Sequence, residues 1–206
     1  MSHAMELIGE RWALLLVREL LLGPKRFADL HRGLPRAAPN VAVQRLKELT
    51  AAGIVRRRTL PPPTAAQVYE LTDWGQDLAP IVQQLSQWAS RSPGMRLDAP
   101  LSADSLVLSL PTLYVPTTLL AEVVLRIGID EFTVSVGVSC RVRRGAAPQP
   151  DVEFRGDVET LRKLLVGGVG LDELVAGGQL AVLGDLAMAR AFSTLFPLPE
   201  TVPVPR

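Results

Sequence analysis

Between Lys25 and Arg58 the chain places nine basic and two acidic residues, a local net charge of +7, whereas all 206 residues net only +1. Charge concentrated in this way suits a polyanion met on one face, and the evident candidate is double-stranded DNA. Within the stretch, Asn40, Gln44, Arg45 and Lys47 fall on the side of a helix left toward solvent. Asn and Gln can pair bidentately with adenine, and Arg with guanine, so these residue types can read base edges. Arg36 just upstream, and Arg56, Arg57 and Arg58 downstream, add charges of the kind that hold phosphates. Phosphates and sugars take most protein–DNA hydrogen bonds. A merely solvated charged face would share this composition, but not the helix and turn signals that surround it.

Those signals define the elements that must position the basic residues. Residues 5–22 read as one helix with an apolar middle, ended by Gly23-Pro24. Residues 27–34 form a second, short helix broken by Gly33-Leu34-Pro35. A third helix starts near Pro39, a favourable first-turn residue, and runs to Ala52 before Gly53. Ala42, Leu46 and Leu49 turn inward along it. Short helix, tight turn and a helix with long polar side chains make a helix-turn-helix. Residues 54–60 and 67–71 then read as two strands around the stiff tip Pro61-Pro62-Pro63, which is a wing with the three arginines at its base. Thr72 or Asp73 caps a long helix to about Ser90, striped by Leu78, Ile81, Val82, Leu85 and Trp88. A terminal amphipathic helix of this kind can pair with its twin. Trp12 reads as core, and Trp88 as core or dimer interface.

Residues 5–90 resemble the HxlR family of bacterial winged-helix regulators, relatives of the MarR group. The resemblance rests on the runs Glu6–Trp12, Leu20–Phe27, Asp29-Leu30, Gln44–Leu49, Ala52–Val55 and Tyr69–Gly75. It implies a homodimeric DNA-binding regulator of transcription acting on a roughly palindromic operator; a repressor is expected, although the sequence does not decide between repression and activation. By position it implies that Asn40, Val41, Gln44 and Arg45 enter the major groove and that Arg56, Arg57 and Arg58 serve the wing. Several members of that family sense oxidants through a cysteine just before the first long helix. This chain has none there, so thiol switching is not expected unless a segment upstream of these residues carries one.

The second half differs in charge and in pattern. Residues 1–92 carry a net +4 and residues 93–206 a net −3, so two domains with different partners are expected, 1–92 and 100–200. The boundary is placed at Ser92-Pro93-Gly94 and the run to Pro100. Residues 101–110 read as a helix, and residues 117–121 are ambiguous between states. Val123, Leu125, Ile127 and Ile129 alternate with polar or small residues, and so do Phe132, Val134, Val136, Val138, Cys140 and Val142. Two half-buried antiparallel strands explain this, and residues 151–155 add a third. Asp157 caps a helix to about Val166, residues 171–176 form another, residues 179–183 a strand, and Asp185 caps a last helix ending at Phe196-Pro197. The whole is an α+β layer with a mainly antiparallel sheet and helices on one face. It resembles the sterol carrier protein-like domain, on residues 151–156, the helix after Asp157 and the run Gly178–Asp185. That resemblance implies an apolar tunnel able to hold a lipid-like effector, with Phe132, Val134, Leu165, Leu174, Met188 and Phe192 as its lining.

Other chemistries find little support. There is one cysteine, Cys140, so no intramolecular disulfide is possible; it reads as a small buried hydrophobe in a strand. His3 and His31 lie far from any ligand cluster, so no metal is expected. No nucleophile elbow and no phosphate-binding glycine loop occurs, which argues against an enzyme and against a cofactor. The apolar run 13–17 stops at Arg18, too short to enter a membrane. No signal peptide opens the chain, and a cytoplasmic protein is expected. Two alternatives stay open: a lipid carrier in which DNA binding is secondary, or a second domain that only supports structure or dimerisation.

Overall fold

The computed structural model describes residues 1–203. Two compact units divide the chain, Met1–Val82 and Gln83 onward. The division falls upstream of the turn at Ser92.

The first unit opens with two helices where the apolar pattern predicts one. Helix α1 covers Ser2–Ile8 and α2 covers Ala13–Leu20. The break follows Gly9, a residue worth about 1 kcal/mol less than Ala inside a helix. Trp12 then adopts a left-handed conformation at φ 79° and redirects the chain into α2. Such a conformation persists in a non-glycine residue only where packing holds it, and Trp12 packs half-buried against the core. Helix α3 (Phe27–Gly33) and helix α4 (Pro39–Ala51) follow. Pro39 sits at the start of α4, where its missing N–H costs nothing. Leu16, Val17 and Leu20 from α2, Leu30 from α3 and Leu46 and Leu49 from α4 meet in one core.

Strands β1 (Val55–Thr59) and β2 (Gln67–Leu71) form the wing, pairing Arg56 with Glu70, Arg57 with Tyr69 and Arg58 with Val68. Lys25 adds a rung on the far side of β2, exchanging backbone hydrogen bonds with Tyr69 at 3.0 and 2.8 Å. Thr72 caps the next helix, its hydroxyl accepting from the Gly75 N–H at 3.0 Å. That helix does not run on to Ser90 as its stripe predicts. It splits into α5 (Asp73–Gln76) and α6 (Ala79–Ala89). Pro80 is the cause: it has no N–H to donate to the Gln76 carbonyl, so the ladder is interrupted there.

The second unit is a five-stranded sheet with helices. It opens with residues 83–89 of α6, and its further elements are α7 (Ala103–Leu113), β3 (Ala121–Ile127), β4 (Asp130–Val136), β5 (Arg141–Arg144), β6 (Val152–Gly156), α8 (Val158–Leu165), α9 (Leu171–Ala176), β7 (Ala181–Gly184) and α10 (Leu186–Ser193). The strand order is β5-β4-β3-β6-β7, and only β3 and β6 run parallel. Val123, Leu125, Phe132, Val134, Val152 and Phe154 lie buried within the sheet. Phe192 of α10 stacks on Phe154 with ring centroids 5.8 Å apart, and Phe196 meets Phe192 edge-on at 5.2 Å. Burying one such ring contributes about 1.5–3 kcal/mol. Arg144 anchors α7 to the sheet through Asp104, and it lies over the Phe132 ring at 4.8 Å.

Two details of the strand pattern differ from expectation. Alternation continues in sequence through Val138 and Cys140, but β4 stops at Val136 and the chain turns before β5. Val138 is 91% exposed, and Cys140 is half-buried in the loop instead of lying in a strand. Likewise Ile129 belongs to the turn after β3, where Gly128 at φ 63° makes the reversal, and its side chain is exposed. Period-two apolar spacing cannot tell a strand from a hairpin tip that happens to carry apolar residues.

Candidate nucleic-acid interface

Helix α4 presents Asn40, Gln44 and Lys47 to solvent at i, i+4 and i+7. Its opposite side, Ala42, Leu46 and Leu49, is locked into the core. The outward face is therefore fixed by burial of the inward one. Arg36 is exposed in the turn before α4, and Val41 is half-buried. Arg45 does not stand free beside them. It is half-buried, paired with Glu48 and with Glu10 at 3.4 Å. Glu48 also accepts a hydrogen bond from the Gln44 amide at 2.8 Å. Two of the expected base-reading side chains thus already hold one carboxylate in the unbound protein.

The wing arginines split between two faces, because successive side chains of a strand point to opposite sides. Arg56 and Arg58 share a face and both donate through Nε to Glu70, to Oε1 at 2.8 Å and to Oε2 at 2.9 Å. Burial alone would raise the Glu70 pKa, but hydrogen bonds from Arg56 and Arg58 and their charge outweigh it and hold the carboxyl below its ordinary range. Arg57 turns to the other face and lies over the Tyr69 ring at 5.1 Å. The three arginines therefore do not make a single clamp: two form one pair and the third stands apart.

The local charge of the surface is also lower than the count along the sequence. Lys25 is buried, its ammonium 2.8 Å from a carboxylate oxygen of the fully buried Glu19, which Arg18 also holds at 2.9 Å. Arg32 pairs with Asp29 at 2.7 Å. Among the described residues of this stretch, Arg26, Arg36, Lys47 and Arg57 are exposed without a carboxylate partner. Glu10, Glu19, Tyr69 and Glu70 are the site neighbours that reading the sequence missed. The spacing of Glu48 from Gln44 and Arg45 is a legible helical signal. Glu70 follows from the hairpin register once the turn is known. Glu10 and Glu19 have no local signal.

The HxlR-like helix-turn-helix family matches residues 7–95. The HTH-type transcriptional regulator YvaP of Bacillus subtilis, itself uncharacterized, is 39% identical over 89 residues, which is 43% of this chain and 82% of the relative. The chain belongs to the HxlR-like helix-turn-helix family. A second B. subtilis relative, the HTH-type transcriptional regulator YodB, is 35% identical over 91 residues, 44% of this chain and 81% of its own. The solved structure of reduced YodB superposes with a TM-score of 0.41 at 34% identity, over 46% of this chain and 92% of that one. The first unit of this HxlR-like protein is the DNA-binding helix-turn-helix of a transcriptional regulator. Residues 120–197 match the SCP-2 sterol transfer family, so the chain joins an HxlR-like unit to an SCP-2-like one.

In the SCP-2-like unit the six expected lining residues lie on the sheet and on the helices packed with it. Phe132, Val134, Leu165, Leu174 and Phe192 are buried there, and Met188 of α10 is half-buried. An open depression of about 610 Å³ lies elsewhere, lined by Arg126, Gly128, Arg155 and Gly156. Burial pushes the Cys140 thiol up to about 12, which leaves almost no thiolate near neutral pH. Among the described residues no cluster of three or more His, Cys, Asp or Glu is placed to hold a metal. No helix among them is long and apolar enough to cross a membrane.

Proposed function

We propose that the chain is a homodimeric repressor that docks α4 in the DNA major groove and the wing on the flanking backbone. The observation that carries this reading is the shared exposure of Asn40, Gln44 and Lys47 on α4, beside a core that fixes the helix's orientation. Asn40, Val41, Gln44 and Arg45 approach base edges. Arg36, Lys47, Arg56, Arg57 and Arg58 neutralise phosphates, and release of counterions supplies much of the affinity. Arg45 exchanges Glu48 or Glu10 for DNA as it binds. Dimerisation is supported by α6, on which Ile81, Leu85 and Trp88 are all exposed on one helix, Trp88 to 78%. Single exposed apolar residues are ordinary, but an apolar stripe marks a partner surface.

The test is selection of duplexes from a random library with the full chain, followed by titration across a salt series. Gln44→Ala relaxes the preference at one base position by about 1–3 kcal/mol. Arg57→Ala weakens all sequences alike and lowers the salt slope by about 1. Unchanged binding in both variants places the reading face elsewhere. Repression is tested with a reporter behind the protein's own upstream region, where deletion of the chain raises expression.

The SCP-2-like unit binds an apolar effector in this reading, supported by the family match and by the apolar side chains of Phe132, Leu165, Met188 and Phe192. Effector binding changes operator affinity only as far as the ligand distinguishes the DNA-bound from the free state. Organic extraction of the purified protein followed by mass spectrometry tests it: a stoichiometric lipid supports the reading, and a ligand-free unit that binds no fatty acid or sterol refutes it.

A further inference from the structure

The pair of arginines on one face of the wing carries a role of its own. Arg56 and Arg58 are two residues apart on β1, so their side chains rise from the same face, and Glu70 sits directly opposite Arg56 on β2. Each guanidinium donates its Nε–H to a different oxygen of that one carboxylate. Among the described residues, the outer nitrogens of both guanidinium groups make no hydrogen bond within the protein. The arginine side chains remain 61% and 46% exposed, while that of Glu70 is only 12% exposed. The carboxylate lies beneath and the free N–H groups lie outside it.

We infer that Glu70 is a positioning residue for DNA binding, holding Arg56 and Arg58 as a preformed fork for backbone phosphate. A free arginine on a strand samples many rotamers, and ordering such a side chain at an interface opposes binding. Glu70 bears that cost within the folded protein. The four remaining N–H groups of each guanidinium keep a fixed direction, and planar, paired donors are what phosphate recognition requires. The opposite view treats Glu70 as a counter-charge that weakens the wing. The two views predict effects of opposite sign, so they can be separated. Arg57 lies outside the fork, over Tyr69, and serves as the internal control.

This inference rests on the proposed use of the wing in DNA binding. The experiment measures binding of the full chain, wild type and Glu70→Gln, to a duplex selected from a random library, over a salt series. Glutamine keeps the length of the side chain but loses the charge and one of the two strong acceptors. Positioning predicts that Glu70→Gln weakens binding about tenfold although it removes a negative charge. The salt slope stays level or falls, and Arg56→Ala and Arg58→Ala then cost less when combined with Glu70→Gln than they do in wild type. Equal or tighter binding with a steeper slope would overturn the inference and leave Glu70 a counter-charge. Glu70→Ala with an unchanged melting temperature provides the second variant, with the same signs expected. Failure of the wild-type chain to bind any duplex refutes the DNA reading itself, and the fork with it.

Discussion

Replacing Lys25 with Met tests the claim that this basic residue belongs to the core and not to the DNA face. The Lys25 ammonium lies 2.8 Å from Glu19, whose side chain has no solvent exposure; Arg18 reaches the other carboxylate oxygen at 2.9 Å. Removing the lysine charge strips a buried carboxylate of a cationic partner. Breaking a buried pair from one side costs about 3–5 kcal/mol, and because Arg18 still holds Glu19 the low end of that range is expected here. Domains of this kind have about 5–15 kcal/mol in all, so the loss is a large fraction of the first unit's stability. At about 4–8 °C per kcal/mol for a unit of this size, the melting temperature falls by roughly 10 °C or more. Urea unfolding followed by tryptophan fluorescence reads this, because Trp12 and Trp74 lie in the first unit, Met1–Val82. The double change Glu19→Leu with Lys25→Met recovers only part of the loss, because Arg18, 19% exposed, then loses the carboxylate it holds. Well below the melting transition, DNA affinity per folded molecule stays within about twofold, since no phosphate contact is removed. A Lys25→Met variant of normal stability but reduced salt slope would refute the reasoning and return Lys25 to the DNA face.

Three further outcomes follow from the same structure. A Cβ added at Gly75 would fall on the Ile54 carbonyl oxygen, well inside contact distance, so Gly75→Ala lowers stability by about 1–3 kcal/mol in urea unfolding. Asp157 caps α8, its carboxylate accepting the Thr160 N–H at 2.7 Å. That hydrogen bond holds its pKa below the ordinary 3.8. Its stabilisation is complete above that value and is lost as pH falls through the lower folded value. Asp157→Ala costs about 1 kcal/mol at neutral pH, and the difference from wild type shrinks in acid melts. Trp88→Ala on α6 shifts a dimer toward monomer in sedimentation equilibrium, by about 2 kcal/mol or more if the ring is an interface anchor; an unchanged association constant removes α6 from the interface.

What the sequence determines by itself is whatever depends on neighbours within one or two turns. The third helix, with Pro39 at its start and Ala42, Leu46 and Leu49 inward, is legible because a 3.6-residue period and a first-turn proline are local signals. The caps Thr72, Asp157 and Asp185 are legible for the same reason. Local pattern also misleads in places. The helix expected over 5–22 breaks at Gly9 because packing of Trp12 outweighs the apolar period. Cys140 continues an alternation that the hairpin has already left. The charge of the DNA face is the clearest case of what only the tertiary structure decides. Along the chain Lys25, Arg45, Arg56 and Arg58 look equivalent. In the fold, Glu19 draws Lys25 inside, Glu10 and Glu48 hold Arg45, and Glu70 orders Arg56 and Arg58. Electrostatic energy depends on distance and burial, and neither is a property of sequence separation. Which cations can meet a phosphate is therefore settled by the carboxylates that folding brings beside them.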